Sequence, residues 1–325
     1  MVAGTVVDLL GREALEHAAA PFGSSVGLPS EAYTSPDVLG WERDRWFSRS
    51  WRCVGRAGTH LRAPGERTAG GWAFLQADPE GLTFEGQFGN LWELLAPHQP
   101  DRLVVAARHG YEVRANWKFI HENFQECYHC SEIHPELCRV TPPDSGYSIP
   151  LEGLFVAGPM DLRPDAETMS LDGKSGGVPI PTLDPRQRRE VGYFGIWPNL
   201  LISPHPDYVL THRIEPLAPD RCYVECEWLF PPEAFDLPDF SPAYATEFWD
   251  ITNREDWAAV ESLQRSAGGR GYRAGPLSVS WEAGPYMWVK MLADAYLGGT
   301  VPRRPDVPDI AHVPRYETLG ANAAR

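Results

Sequence analysis

The chain has 325 residues, 43% hydrophobic and 22% charged, an ordinary globular composition with length for one large or two small cores. Its formal net charge of -15 argues against a nucleic acid or an anionic membrane surface as partner, because phosphate binding needs a concentrated basic face. No stretch supplies the ~20 apolar residues of a spanning helix, and the first residues carry acids where a secretory signal carries a basic region, so a cytoplasmic location without membrane is expected.

In chain order, Ser35-Pro36-Asp37 forms a helix start, with an N-cap, a first-position proline and an acid in the first turn, and Val38, Trp41 and Trp46 follow on one broad face. Residues 61–71 read as a turn-rich joint. "WAFLQADPEG" is a short buried strand ending in a turn, and residues 79–100 read as a helix with loops. From Leu103, "LVVAARHGYEVRANW" alternates like a strand that leads into a helix. Between about 141 and 190 the text is rich in Pro, Gly, Asp and Ser, which predicts a long irregular excursion over the surface or a pocket mouth. Residues 193–230 alternate as consecutive antiparallel strands broken by Pro-Asp turns. A helix starts near Ser241 and stops at Gly268-Gly269, and "PYMWVKMLADAYLGG" is a closing amphipathic helix. The tail after Val301 is expected to be loosely ordered or to wrap a neighbour.

Candidate chemistry concentrates in "ENFQECYHCSEIHPEL", residues 122–137. His129 and His134 are five apart, and a helical break at His134-Pro135 would bring both imidazoles to one point. Two imidazoles and one carboxylate make the facial triad of non-haem Fe(II) oxygenases, with the third ligand supplied from elsewhere in the fold. The competing reading is two helix-end histidines satisfied by hydrogen bonds. Cys127 and Cys130 form C-x-x-C with Cys138 close behind, so zinc or redox chemistry competes too. On a helix, cysteines interleaved with His129 do not all face one ion, and the chain has no second C-x-x-C. Six cysteines without a secreted-type spacing are therefore expected to be reduced, and mostly buried. Cys127-Tyr128-His129 also mimics C-x-H, the first half of a Rieske cluster signature, but no C-x-x-H follows it.

The segment "NWKFIHENFQECYHCSEIHPEL", residues 116–137, resembles the iron-binding segment of Rieske-type ring-hydroxylating and N-demethylating oxygenase α subunits, in which N-W-K, E-N, an acid, Y-H and a later H run in that order. "WFSRSWRCVGR", "GGWAFLQADPEG", the stretch from "WPNLLISPHPDY" to "EWLF" and the closing helices resemble further parts of that family, nearest the branch acting on betaine-like quaternary amines. The resemblance implies an α+β helix-grip (START-like) fold, an antiparallel sheet around a long C-terminal helix. It implies Fe(II) held by His129, His134 and Asp256, with Asp250 the nearest alternative for the carboxylate. Asn123 falls at the position of an active-site asparagine. Glu126 falls at that of an acid bridging to a neighbouring subunit's cluster histidine, or else it is a helix-surface carboxylate.

The family pattern breaks at residues 62–72, where the flanks of a [2Fe-2S] domain are joined directly. The reading is residues 1–71 as a helical segment with the remnant junction, and 72–325 as a non-haem iron catalytic domain without an intrinsic [2Fe-2S] cluster. The expected function is a mononuclear non-haem Fe(II) oxidase or oxygenase acting with O2 on a small organic substrate, an amine by the resemblance, in a homo-oligomer such as a trimer. The alternatives are a catalytic subunit fed by a separate Rieske protein or reductase, a metal-dependent non-redox enzyme, and a non-catalytic subunit of a hetero-oligomer. His205 and His212 lie on the expected sheet, His205 as a strand-end residue facing solvent. Tyr193, Phe194, Trp197, Tyr286 and Trp288 are candidates for an aromatic pocket that would favour an ammonium, with core filling as the commoner role for such residues.

Overall fold

The structure, a computed structural model, describes residues 5–59 and 62–305. Short helices open it: α1 Val6–Leu10, α2 Arg12–Ala18, α3 Glu31–Thr34 and α4 Pro36–Glu42. Ser35 caps α4 by accepting from the Val38 amide, as its sequence start implies, and the chain then widens into a π-turn, Arg43–Phe47, that buries Trp46 and Phe47. Strands β1 Arg52–Arg56, β2 Arg67–Ala69 and β3 Trp72–Leu75 form a small antiparallel sheet in the order β1-β3-β2. Strand β2 thus lies within the turn-rich joint, and the sheet pairs residues from both sides of position 71. Gly70 and Gly71 close the β2–β3 hairpin with φ of 56° and 84°, the left-handed pair that a tight two-residue turn requires.

Helices α5 Phe84–Phe88 and α6 Leu91–Leu95 lead to β4 Val104–Val113, then α7 Trp117–Phe124, α8 Cys130–Ile133 and α9 Pro135–Val140. Strands β5 Phe155–Asp161, β6 Glu190–Ile196, β7 Leu200–Pro204, β8 Val209–Ala218 and β9 Arg221–Phe230 follow, then α10 Ala243–Ala267 and α11 Ala283–Gly298. The main sheet is six-stranded and antiparallel, ordered β4-β9-β8-β7-β6-β5. The architecture is therefore α+β, a mixture of helices and antiparallel sheet. The tail past residue 305 lies outside the described residues. Among those described, no helix is long and apolar enough to cross a membrane.

Two expectations need correction. The stretch 141–190 is not wholly irregular, because β5 sits within it; Gly158 and Pro159 interrupt its pattern, and an edge strand tolerates that proline. Helix α11 is not amphipathic but buried on nearly every side, since α1 and α2 pack against it and Lys290 Nζ reaches the Ala19 carbonyl at 2.9 Å. The rest of the 141–190 excursion is pinned by the buried Asp207 carboxylate, which accepts from the Thr168, Ser175 and Tyr244 hydroxyls at 2.5, 2.6 and 2.6 Å.

Helix α7 packs against α10 and α11 and against strands β6 and β8. Its start is fixed by Asn116, whose side chain accepts from the Lys118 amide and donates to the carbonyls of Tyr33 and Pro219. The next two residues close on one acid: Trp117 Nε1 donates to Glu42 Oε2 at 2.9 Å, and Lys118 Nζ meets Glu42 Oε1 at 2.6 Å with both side chains fully buried. Tyr296 of α11 donates to the same carboxylate. Removing one partner of a buried ion pair strands the other charge, so Lys118→Met is expected to lower unfolding stability by about 3–5 kcal/mol in urea denaturation. Adding Glu42→Gln should restore part of that loss. A Lys118→Met protein as stable as wild type would mean that Trp117 and Tyr296 alone satisfy Glu42.

Candidate metal centre

Helix α7 ends at Phe124, and the chain turns through residues 125–129 before α8 begins. Sequence reasoning extends the helix through Glu126; the structure replaces it with this turn. His134 then breaks the path between α8 and α9 with φ -116° and ψ 67°, because Pro135 disfavours helical geometry in the residue before it. The turn and the break aim His129 and His134 toward α10, their ring centroids 5.1 Å apart.

Helix α10 meets them with adjacent acids. Asp256 Oδ1 lies 2.9 Å from His134 Nε2 and 3.4 Å from His129 Nε2. The far side of each imidazole is held by another carboxylate: Glu126 Oε2 is 2.5 Å from His129 Nδ1, and Glu255 Oε2 is 2.8 Å from His134 Nδ1. Asn123 Nδ2 donates to Asp256 Oδ1 at 2.7 Å. Donor atoms of His129, His134 and Asp256 all fall within 4.8 Å of one another. With both Nδ1 atoms engaged, the imidazoles present Nε2 to a common point, and two such nitrogens with a carboxylate suit a divalent transition ion.

Asp250, the alternative carboxylate, is occupied elsewhere: it accepts from the Tyr111 hydroxyl at 2.6 Å and pairs with Arg254 at 2.7 Å. Glu126 is neither on a helix surface nor exposed, since it holds His129. Glu255 was not singled out by sequence reasoning; its only signal is that it precedes Asp256 in "REDW". Cys127 and Cys130 are joined in a disulfide, contrary to the reduced state expected from composition, because the turn after α7 brings Cys127 beside Cys130, the first residue of α8. Bonded to each other, they are not thiolate ligands. Cys53, Cys138, Cys222 and Cys226 are free.

The site opens on a cavity of about 1320 Å³, walled by the turn after α7, by residues 143–148 and 156–160 of the Pro/Gly-rich stretch, and by residues 279–284. Its aromatic walls are Phe124, Tyr147, Tyr193, Trp249 and Trp281. Of the five aromatics named from sequence, Tyr193 alone is among them. Trp197 and Trp288 lie in the main core, Phe194 in a second core cluster, and Tyr286 packs on Phe22. His205 does not face solvent; it is fully buried and stacked on Tyr208 with 4.1 Å between ring centroids. His212 is buried too, its Nε2 2.9 Å from Asn253 Oδ1.

A family model described as ring hydroxylating alpha subunit (catalytic domain) matches residues 100–298. The glycine betaine monooxygenase oxygenase subunit of Chromohalobacter salexigens is 26% identical over 261 residues, 70% of this chain and 58% of that protein. The carnitine monooxygenase oxygenase subunit of Escherichia coli K12 is 25% identical over 207 residues, 62% of this chain and 51% of that protein. The chain thus spans little more than half the length of these relatives. Among solved structures, a quaternary ammonium Rieske monooxygenase superposes with a TM-score of 0.69 at 18% identity, covering 88% of this chain and 99% of that one. Naphthalene 1,2-dioxygenase from Rhodococcus sp. gives 0.61 at 15% identity, covering 88% and 97%. At these identities the solved structures speak for the fold.

The charges at the site perturb one another. Burial alone would lower both imidazoles, but Asp256 and Glu126 hold His129 up to about 9, and Asp256 with Glu255 raises His134. Burial would raise Asp256, yet the two imidazoles hold it well below the usual carboxylate range. A histidine whose folded value lies above its ordinary 6.5 stabilises fully below that value and loses the contribution as pH rises through about 9. Metal-stripped protein is therefore expected to lose stability between pH 6.5 and 9, with His129 contributing a slope no steeper than about 1.4 kcal/mol per pH unit. Thermal melts across that window check it, and His129→Asn should flatten the slope.

Proposed function

The chain belongs to the ring hydroxylating alpha subunit (catalytic domain) family, and from that premise we propose that it is a mononuclear non-haem Fe(II) oxygenase or oxidase acting on a small quaternary amine. The observation that carries this reading is the convergence of His129, His134 and Asp256, donor atoms within 4.8 Å of one another, on the wall of a cavity sized for a small organic molecule. In this reading the sheet and its helices are the helix-grip arrangement, residues 72–325 are the catalytic domain, and residues 1–71, helices α1–α4 with strands β1 and β2 paired to β3, carry the junction where a Rieske domain would stand.

Fe(II) bound by two imidazoles and one carboxylate retains open positions and supplies the redox chemistry. The protein's own residues prepare that site. Glu126 and Glu255 keep the imidazole protons on Nδ1, which leaves the Nε2 lone pairs for the metal. Asn123 fixes the Asp256 carboxylate by its hydrogen bond. Phe124, Tyr147, Tyr193, Trp249 and Trp281 give the cavity an aromatic wall of the kind that attracts a cation. These features favour an ammonium, the substrate class in the names of the glycine betaine and carnitine monooxygenase relatives.

A second reading has a separate Rieske-bearing subunit as the electron source. It is favoured by Tyr128, which sits beside His129, is 58% exposed and stacks on Trp281, so that the ligand-bearing turn reaches the surface. Elemental analysis of anaerobically purified protein, followed by oxygen uptake with glycine betaine and carnitine, separates the two. Bound iron with substrate-dependent uptake by the protein alone supports a self-sufficient enzyme that takes its electrons from the substrate, and uptake only on adding a Rieske partner and reductase supports the split one. Zinc, or no metal, would sink both.

The ligand assignment has its own test. His134→Ala is expected to abolish iron retention while circular dichroism stays native, because two ligands no longer complete the site. Cys127→Ser should keep its iron. Unchanged iron in His134→Ala, or iron lost from Cys127→Ser, would overturn the ligand set.

A further inference from the structure

The turn that bears His129 also bears a pair of sulfurs. Cys127 and Cys130 are bonded to each other with their Cα atoms 5.0 Å apart, and both line the cavity. Cys127 follows Glu126, which holds His129 Nδ1, and Cys130 follows His129 itself. The Cys130 carbonyl also accepts from the His134 amide at 3.0 Å. One sulfur-bearing residue is thus joined to the first imidazole residue by a peptide bond and to the second by a hydrogen bond.

The two sulfurs differ in exposure in the way that suits exchange. Cys130 is buried, whereas Cys127 is half-buried beside Tyr128, which is 58% exposed. An incoming thiolate therefore has a route to one sulfur and displaces the shielded one. The other four cysteines are of a different kind. Burial pushes the Cys53 thiol up to about 12 and raises Cys222 and Cys226 too. Cys138, likewise raised by burial, donates to the Cys130 carbonyl at 3.3 Å. Thiols held protonated are poor nucleophiles, so exchange chemistry belongs to the 127–130 pair.

We propose that Cys127 and Cys130 form a redox-active dithiol that supplies the two electrons an oxygenation at this metal centre consumes. Insertion of one atom of O2 into a substrate C–H bond, with the other released as water, takes up two electrons and two protons. Closing a dithiol breaks two S–H bonds, forms one S–S bond and releases two electrons and two protons. The sum balances: substrate, O2 and dithiol give hydroxylated substrate, water and disulfide. The bonded pair in this structure is the oxidised form. A dithiol reductant, small or protein-borne, reopens it by attack on Cys127 Sγ and is itself oxidised to a disulfide. C-x-x-C dithiols lie mostly below Rieske clusters in potential, so the pair is as strong an electron donor as such a cluster. This assignment rests on the oxygenase reading above and names its electron source.

The test is a single turnover with thiol counting. Fe(II)-loaded protein is reduced anaerobically with tris(2-carboxyethyl)phosphine, desalted, and mixed with O2 and glycine betaine. Formaldehyde, released when a hydroxylated N-methyl group collapses, is quantified, and alkylation with mass spectrometry reads the state of each cysteine. Reduced wild type is expected to give about one product and one new Cys127–Cys130 disulfide per chain, and protein with that disulfide left closed no product above background. Cys138→Ser should match wild type. Cys127→Ser and Cys130→Ser should lose the product while retaining iron, and hydrogen peroxide, which brings the two electrons with its oxygen, should restore it. A 127–130 disulfide that the phosphine does not open in folded protein, product without closure of the pair, equal product from the open and closed forms, or full product from Cys127→Ser with O2 would each overturn the dithiol role and leave the oxygenase reading standing. Product from peroxide but none from O2 in reduced wild type would do the same. No product from either oxidant would remove the oxygenase reading, and the dithiol role with it.

Discussion

The buried ion pair between Lys118 and Glu42 is the constraint on which the rest of the site depends. Two charges with no solvent contact are tolerated only where geometry and extra hydrogen bonds offset their desolvation, and here Trp117 and Tyr296 complete the Glu42 carboxylate. The arrangement ties α4, α7 and α11 at one point, so α7 has little freedom to slide or rotate. Its C-terminal end therefore delivers Asn123 and the turn that follows to a fixed place opposite α10. The stacking of His121 on Trp288, 4.1 Å between centroids, and its bond to the Pro198 carbonyl at 3.0 Å hold the next turn of the helix in the same way.

Seen from that anchor, the N-W-K and E-N parts of the motif divide their labour. Asn116, Trp117 and Lys118 do structural work at the entry of α7, about two turns from the end that reaches the cavity. Glu122 points away from the cavity, accepting from the Tyr33 hydroxyl at 2.9 Å, and burial holds its carboxyl up to about 8. Asn123, one residue on, faces Asp256. A helix places consecutive residues about 100° apart, so one buried acid for the core and one amide for the site can stand side by side.

Much of this was legible in the sequence because local rules agree with the fold. Ser35-Pro36 starts α4, the alternation after Leu103 is β4, the run from 193 to 230 is a set of antiparallel strands, and α10 stops at the glycines. What escaped is what depends on long-range partners. Strand β5 carries Gly158 and Pro159, and only its pairing with β6 makes it a strand. The burial of α11 follows from α1 and α2 lying on its outer side, which no periodicity within α11 encodes. Glu126 looked like a surface acid as long as residues 125–129 were read as helix; once the chain turns, the same spacing returns it to His129. The disulfide escaped for the same reason.

The metal reading and the titration behaviour are two views of one charge balance. Three carboxylates, Glu126, Glu255 and Asp256, surround two imidazoles in a largely buried pocket, and a cluster of that sign is costly unless positive charge joins it. Two protons on the imidazoles supply a charge of two, which is why both are raised against the pull of burial. A divalent ion supplies the same charge at the same point while leaving both imidazoles neutral. Protons and metal therefore compete for one site, and uptake of the ion must expel protons that the imidazoles would otherwise hold. A pocket built only to satisfy hydrogen bonds would not need three acids around two histidines. One built to exchange protons for a cation does, and it is the carboxylates on the far side of each ring, rather than the ligands alone, that make the exchange favourable.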